Sequence, residues 1–101
     1  MKSSFDLLHI ERNGISTLYD VEFIVEREIQ SLLTIEVAGG CIQDIYCYPV
    51  DSSSKVRVVM NDRNGRTSAF VYSGEYFPEG RITYLLDRAI DEYDDEMGGD
   101  L

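Results

Sequence analysis

Polar and hydrophobic residues alternate over much of the first 73 positions, and a period of two predicts β-strands. The segment ERNGIS interrupts this alternation early in the chain. Its Asn-Gly pair favours the positive φ angles of a type I′ turn, which predicts a two-residue hairpin between strands near 5–12 and 15–27. Pairing across that turn places Ile10 opposite Thr17.

A second Asn-Gly pair, in the segment DRNGRT, predicts another hairpin between strands near 55–62 and 65–73. Pairing across this turn gathers five apolar residues on one face, which we expect to be the core side: Val56, Val58, Met60, Ala69 and Val71. The opposite face, which contains Phe70, is mixed and is either covered or exposed.

The segment LLTIEVAGGCIQDIYCY predicts two more strands that are separated at Gly39-Gly40, and the polar residues 49–55 predict a flexible connection. The segment VEFIVEREI, at 21–29, alternates less cleanly. We predict a strand there, with a short helix as the alternative.

The period changes after Pro78, where apolar residues recur at helical spacing until two glycines end the pattern. This predicts one amphipathic helix at about 81–97, with a stripe formed by Ile82, Leu85, Leu86, Ala89, Ile90, Tyr93 and Met97. The predicted fold class is α+β: an antiparallel β-meander of about five to six strands, with two Asn-Gly hairpins, packed by one C-terminal amphipathic helix. The length of 101 residues favours a single domain, 1–101.

The composition narrows the classes of partner. The formal net charge is −10, so we expect repulsion from nucleic acid and from anionic lipid. The chain has neither an apolar run long enough to cross a bilayer nor a signal-peptide pattern, and a cytoplasmic location is predicted. Cys41 and Cys47 lack metal-ligand spacing, and we expect two buried, reduced thiols on one face of a strand.

We find no arrangement of residues that predicts catalysis, and no catalytic, cofactor-binding or metal-ligating residue is assigned. His9 is the sole histidine and stands in no nucleophile motif, so a histidine at the edge of the core or on the surface is expected. The acids near the C-terminus lack the glycine and the alternating ligands of a calcium loop. The protein is therefore predicted not to be an enzyme.

The charge is concentrated at the end of the chain. Residues 87–101 contain seven acids and one base, a net charge of −6. On a helical wheel, Asp87, Asp91, Asp94 and Asp95 lie opposite the apolar stripe, which is compatible with an ordinary solvated face. However, Asp is a poor helix former, and acids in the last turns oppose the helix dipole at about 0.3–1 kcal/mol each. This cost suggests that the acids have a use.

The spacing of these charges is close to that of nucleic acid. Six acids in residues 87–96 span roughly 15 Å of helix, and duplex DNA presents about one charge per 1.7 Å of its axis. The pattern predicts a small acidic inhibitor that occupies the basic surface of a nucleic-acid-processing protein, as a nucleic-acid mimic. Anti-defence proteins of phages, including anti-CRISPR proteins, have this physical profile. The predicted partner-binding residues are Asp87, Asp91, Glu92, Asp94, Asp95, Glu96 and Tyr84, with Tyr76, Phe77 and Tyr93 as further candidate apolar anchors.

Three other functions remain open. An immunity protein that neutralises a toxin nuclease would have the same acidic profile. An assembly or chaperone-like adaptor would bind a partner chain along a sheet edge. The third alternative is a small enzyme of unrecognised type.

A secondary basic patch is predicted around the second hairpin, from Lys55, Arg57, Arg63 and Arg66, and it is the only basic cluster that the sequence indicates. Arg63 and Arg66 face each other across the predicted turn as an unfavourable like-charge pair. The patch either meets acids, from its own helix or from a second copy in a salt-sensitive homodimer, or consists of solvated arginines at a hairpin tip.

Overall fold

The computed structural model describes residues 2–60 and 67–98. Within these residues there are seven strands and one helix, in the order β1 (Ser3–Asn13), β2 (Ser16–Val25), β3 (Glu28–Ala38), β4 (Cys41–Pro49), β5 (Val56–Met60), β6 (Thr67–Tyr72), β7 (Glu75–Phe77) and α1 (Glu79–Gly98). The first four strands form sheet A in the order β1-β2-β3-β4, and the last three form sheet B in the order β5-β6-β7. All pairings are antiparallel. The predicted α+β class, an antiparallel meander packed by one C-terminal helix, is confirmed, with seven strands in place of five to six.

One core joins both sheets and the helix. Phe23, Phe70 and Phe77 are fully buried at its centre. The rings of Phe70 and Phe77 stack with their centroids 4.6 Å apart, and Phe23 meets Phe70 edge to face at 5.1 Å. Such aromatic pairs stabilise a fold beyond the area that they bury. The core therefore fixes the inner side of sheet A and leaves its other side facing outward.

Helix α1 follows the predicted pattern closely. Ile82, Leu85, Leu86 and Ala89 are buried, and Ile90 and Tyr93 pack against the core from its margin. The helix begins directly after Pro78, whose carbonyl oxygen accepts a hydrogen bond from the Ile82 amide at 3.0 Å. In the described part of the chain, no helix combines the length and apolar character needed to cross a bilayer.

The first hairpin lies where it was predicted, but its register differs. Asn13 pairs with Ser16, so the two turn residues are Gly14 and Ile15 and not Asn13 and Gly14. Gly14 has a φ of 64°, and positive φ at the first turn residue is typical of a type II′ turn. Ile10 consequently pairs with Tyr19 and not with Thr17.

The segment 21–29 is extended, as predicted, and not helical, but it is not one strand, because a hairpin turn divides it. β2 ends at Val25, β3 begins at Glu28, and the turn residues Glu26 and Arg27 have φ angles of 52° and 71°. Residues with side chains seldom adopt positive φ, and nothing in the composition of this segment marks a turn. The pairing of Val25 with Glu28 and a backbone hydrogen bond from Glu26 to Lys2 (3.1 Å) hold the turn in place.

The second hairpin is displaced by one residue from the predicted register. Val56 pairs with Tyr72, and Val58 pairs with Phe70. A slip of one residue exchanges the two faces of a strand. Phe70, which was assigned to the mixed face, therefore lies in the core beside Val56. The predicted Asn64-Gly65 turn lies outside the described residues.

The two cysteines differ in their surroundings. Cys47 is half-buried, with its Sγ 3.0 Å from the hydroxyl of the fully buried Ser31, whereas Cys41 is exposed. The expectation of two buried thiols on one face is wrong for Cys41. The register of β3 and β4 shifts after Glu36, and this irregularity breaks the alternation of faces between the two cysteines.

Candidate functional site

The acids that were predicted to bind a partner face the solvent on α1. All six are exposed: Asp87, Asp91, Glu92, Asp94, Asp95 and Glu96. Tyr84 lies among them with 58% of its surface exposed. Among the described residues, one ion pair is formed, between Arg81 and Glu75 at 3.2 Å, and it neutralises none of these acids.

The acidic surface continues from the helix onto sheet A at β1. α1 packs alongside β1, and Asp6 on that strand lines a small cleft of about 20 Å³ together with Glu92 and Glu96. Leu7, the next residue of β1, points into the core and anchors the strand there. This junction could not be predicted from the sequence, because 86 positions separate Asp6 from Glu92.

Beyond Asp6, acids are spread across the side of sheet A that faces away from the core. We call this side the outer acidic face and define it by Asp6, Asp20, Glu22, Glu36 and Asp44. The strand registers pair Asp6 with Glu22 and Glu36 with Asp44, so two pairs of like charges face each other across neighbouring strands. Like charges in directly opposed positions destabilise a sheet, and their presence indicates a surface with another role.

Burial and neighbouring carboxylates raise the pKa of two groups on this face. Partial burial raises the pKa of Glu22, and the charge of Asp6 and a hydrogen bond with it raise that pKa further. The charge of Asp44 and a hydrogen bond with it raise the pKa of the Tyr46 hydroxyl. Both groups thus lie beside a carboxylate of a neighbouring residue.

Two of the acids are held in position by hydroxyl groups. The Asp20 carboxylate accepts a hydrogen bond from Thr34 Oγ1 at 2.7 Å, and the Glu36 carboxylate accepts one from Ser16 Oγ at 2.9 Å. A neutral donor orients a carboxylate without cancelling its charge. These acids therefore remain available to an external cation.

Exposed apolar side chains are interleaved with the acids of this face. Leu32 pairs with Tyr48 across β3 and β4, and they are 38% and 54% exposed; Tyr46 is 43% exposed. Tyrosine is enriched in protein interfaces, where it supplies apolar area together with a hydrogen-bonding group. The sequence held a signal for this face in the alternating run Asp44, Tyr46, Tyr48.

The additional apolar anchors that were predicted have three different outcomes. Tyr76 is 56% exposed and is available to a partner, whereas Tyr93 is half-buried against the core. Phe77 is wrong as an anchor, because it is fully buried, stacks on Phe70 and carries the Arg81 guanidinium 3.9 Å above its ring.

The secondary basic patch is described only in part. Lys55 and Arg57 are exposed, and Arg57 donates hydrogen bonds to the backbone carbonyls of Ser54 (3.4 Å) and Val56 (3.2 Å). Arg63 and Arg66 lie outside the described residues, so the patch of four residues stays a prediction.

Within residues 2–60 and 67–98, no group of three or more His, Cys, Asp or Glu residues is arranged to hold a metal ion. Comparison with protein-family models, curated proteins and solved structures finds no match to this chain.

Proposed function

We propose that this protein is a small cytoplasmic inhibitor that binds the basic surface of a nucleic-acid-processing protein. The observation that carries the proposal is the continuity of the acids from α1, through Asp6, onto the outer acidic face of sheet A. Such a surface repels nucleic acid and is attracted to the grooves that bind nucleic acid.

The surface combines the two properties that an effective competitor of nucleic acid needs. Its unpaired acids accelerate association with a basic partner. The exposed rings of Tyr46, Tyr48 and Tyr84 supply anchors, which contribute most of the affinity at protein interfaces. Because the acids lie on both a helix and a sheet, they present a broad surface to the partner and not a single row of charges.

The test is a titration of two charge variants against the partner, after that partner has been captured from the source cell with the full-length protein. One variant replaces acids of the helix (Asp91→Asn, Asp94→Asn and Asp95→Asn), and the other replaces the pair on the sheet (Asp6→Asn and Glu22→Gln). We expect each to weaken binding by about fivefold or more at low salt. The matched control replaces two exposed acids at the turn between β2 and β3, Glu26→Gln and Glu28→Gln, and should bind like the wild type.

The partner's own activity provides the second readout. The wild-type protein should displace duplex nucleic acid from the partner, and the helix variant should do so less effectively. A toxin nuclease as the partner would favour the immunity-protein alternative. Equal affinities of the wild type and both variants at low salt would contradict the proposal.

A groove between the two sheets favours the adaptor as a second candidate. β4 is an edge strand of sheet A, and β5 is an edge strand of sheet B. A mainly apolar groove lies between these two edges and is lined by Tyr46, Tyr48 and Val58. An extended segment can add to such an edge through its backbone. Adaptor binding would protect the β4 amides from hydrogen exchange and would be insensitive to both charge variants.

A further inference from the structure

A cleft of about 560 Å³ lies between the start of β1 and the first half of α1. Three cations line it, Lys2, Arg81 and Arg88, although the chain has only nine Lys and Arg residues against 19 acids. The sequence indicated a single basic cluster, around the second hairpin, and that expectation is wrong. The fold brings together cations that lie at opposite ends of the chain.

The three cations differ in whether a carboxylate of the protein already pairs with them. Arg81 is bound to Glu75 at 3.2 Å and lies over the ring of Phe77. Arg88 donates a hydrogen bond to the Tyr84 hydroxyl at 3.1 Å, which holds its guanidinium beside that ring without neutralising it. Among the described residues, no carboxylate lies within ion-pair distance of the side chain of Lys2 or Arg88. These two cations are available to an external anion.

The base of the cleft has the opposite character. Phe5, Leu85 and Ala89 lie at the base as buried members of the core, and the ring of Tyr84, which is 58% exposed, contributes the larger apolar surface. The hydroxyls of Ser3 and Ser4 add hydrogen-bonding groups at the side of β1. A cleft with an apolar base and a cationic rim is complementary to a molecule with an apolar body and one anionic group. Its volume lies within the range of small-molecule sites, about 300–1,000 Å³.

We propose that this cleft binds a small organic anion, a phosphate monoester or carboxylate, with the anionic group between Lys2 and Arg88. The apolar body of the ligand lies against the ring of Tyr84, above Phe5, Leu85 and Ala89. Glu92 is the one acid in the lining and disfavours ligands that carry a second anionic group at that end. This site shares Tyr84 and Glu92 with the acidic surface, but its occupation does not depend on the proposed inhibitor function.

Phenyl phosphate is a suitable probe, because it joins one apolar ring to one phosphate. Titrated into the full-length protein labelled with ¹⁵N, it should produce saturable shifts at the amides of Ser4, Tyr84 and Arg88. Inorganic phosphate, which lacks the ring, and benzyl alcohol, which lacks the charge, should each bind about tenfold more weakly. No saturable shift with phenyl phosphate, or equal affinity for benzyl alcohol, would overturn the proposal. Equal affinity for inorganic phosphate would overturn the role of the apolar base.

Two variants and a matched control assign the site. Arg88→Gln and Lys2→Gln should each weaken phenyl phosphate binding by about tenfold, because each removes a charged hydrogen-bond donor. Arg12→Gln removes an exposed cation from the far end of β1 and should leave the affinity unchanged. All three side chains are exposed, so the variants should keep the amide spectrum of the folded protein. A uniform loss of affinity in all three would indicate attraction by total charge and would refute a site in this cleft.

Discussion

Asp6 and Glu22 show, at the scale of single residues, how the sheet tolerates unfavourable charge. They occupy directly opposed positions on β1 and β2, where a pair of opposite charges would stabilise the sheet. The raised pKa of Glu22 expresses the same conflict, because burial and the neighbouring Asp6 both favour the protonated form. The folded state consequently binds a proton at Glu22 more readily than the unfolded state does.

This difference predicts the pH dependence of the Glu22→Gln variant. A carboxyl whose pKa is raised by folding costs stability at neutral pH, and that cost disappears as the pH falls through the folded-state pKa. Glu22→Gln should therefore be more stable than the wild type at pH 7 by a few tenths of a kcal/mol, as expected for a like-charge pair on a sheet. The difference should shrink in mildly acidic solution. Urea denaturation at several pH values measures it, and Glu28→Gln, which removes an acid paired with Val25, is the control.

The backbone conformation of Arg27 also lowers the stability of the fold. Its φ of 71° is left-handed, a conformation that costs a residue with a Cβ about 1–2 kcal/mol. Arg27→Gly should therefore stabilise the protein by up to about 1 kcal/mol, since glycine's greater freedom in the unfolded chain offsets part of the gain. Arg27→Ala removes the same charge but keeps the Cβ and should give no increase. If the alanine variant were as stable as the glycine variant in thermal melts, the charge and not the backbone would be responsible.

At the scale of elements, α1 links the core to the acidic surface. Its buried stripe fastens it to β1 and β6, and its exposed side carries the acids. The position of the acids thus depends on the packing of Leu85, Leu86 and Ala89. The helix is expected to form only with that packing, because adjacent acids and the opposing dipole weaken it in isolation.

Leu86 provides the test of this dependence. It is 4% exposed, and Leu86→Ala should cost about 2–5 kcal/mol of stability. Leu86→Asp should leave an unfolded or aggregated product, because it also buries a charge. Asp87→Asn, at the neighbouring exposed position, should melt like the wild type. Unchanged circular dichroism and melting temperature for Leu86→Asp would mean that the stripe does not face the core.

The elements also show which parts of the structure could be predicted from the sequence. The helix and its stripe were predictable, because they depend on a local period that the chain displays from Ile82 to Tyr93. The turn at Glu26 and Arg27 was not, because it contains none of the residues that favour turns. The outer acidic face depends on strand registers, which the first turn and the shift after Glu36 changed by one or two residues. The cleft of Lys2 and Arg88 depends on tertiary packing alone.

At the scale of the whole molecule, the charges are segregated and not mixed. Among the described residues, acids predominate on the second half of α1 and on the outer face of sheet A, whereas Lys2, Arg81 and Arg88 gather at the cleft beside the first half of α1. The exposed Lys55 and Arg57 belong to the predicted secondary patch, through which a second copy could bind acids of the first. Such a homodimer would dissociate at high salt, because screening weakens exposed ion pairs. Sedimentation at low and high salt tests the hypothesis, and an unchanged monomer mass at both would exclude it.

The helix acids should, lastly, oppose folding through mutual repulsion. Asp91 and Asp95 lie four residues apart on one face of α1, and Asp94 is their neighbour near the negative end of the helix dipole. Replacing all three by Asn should raise the stability at about 0.05 M salt by about 0.5–1 kcal/mol. The gain should diminish at about 0.2 M salt, where screening weakens the repulsion. Thermal melts of the wild type, the triple variant and the Glu26→Gln, Glu28→Gln control provide the measurement. A triple variant that is less stable than the wild type at low salt would show that these acids bind cations of their own chain, for which Arg63 and Arg66 are the candidates.

A stable variant that no longer binds the partner would instead separate the two roles of α1: its apolar side maintains the fold, and its acids serve recognition.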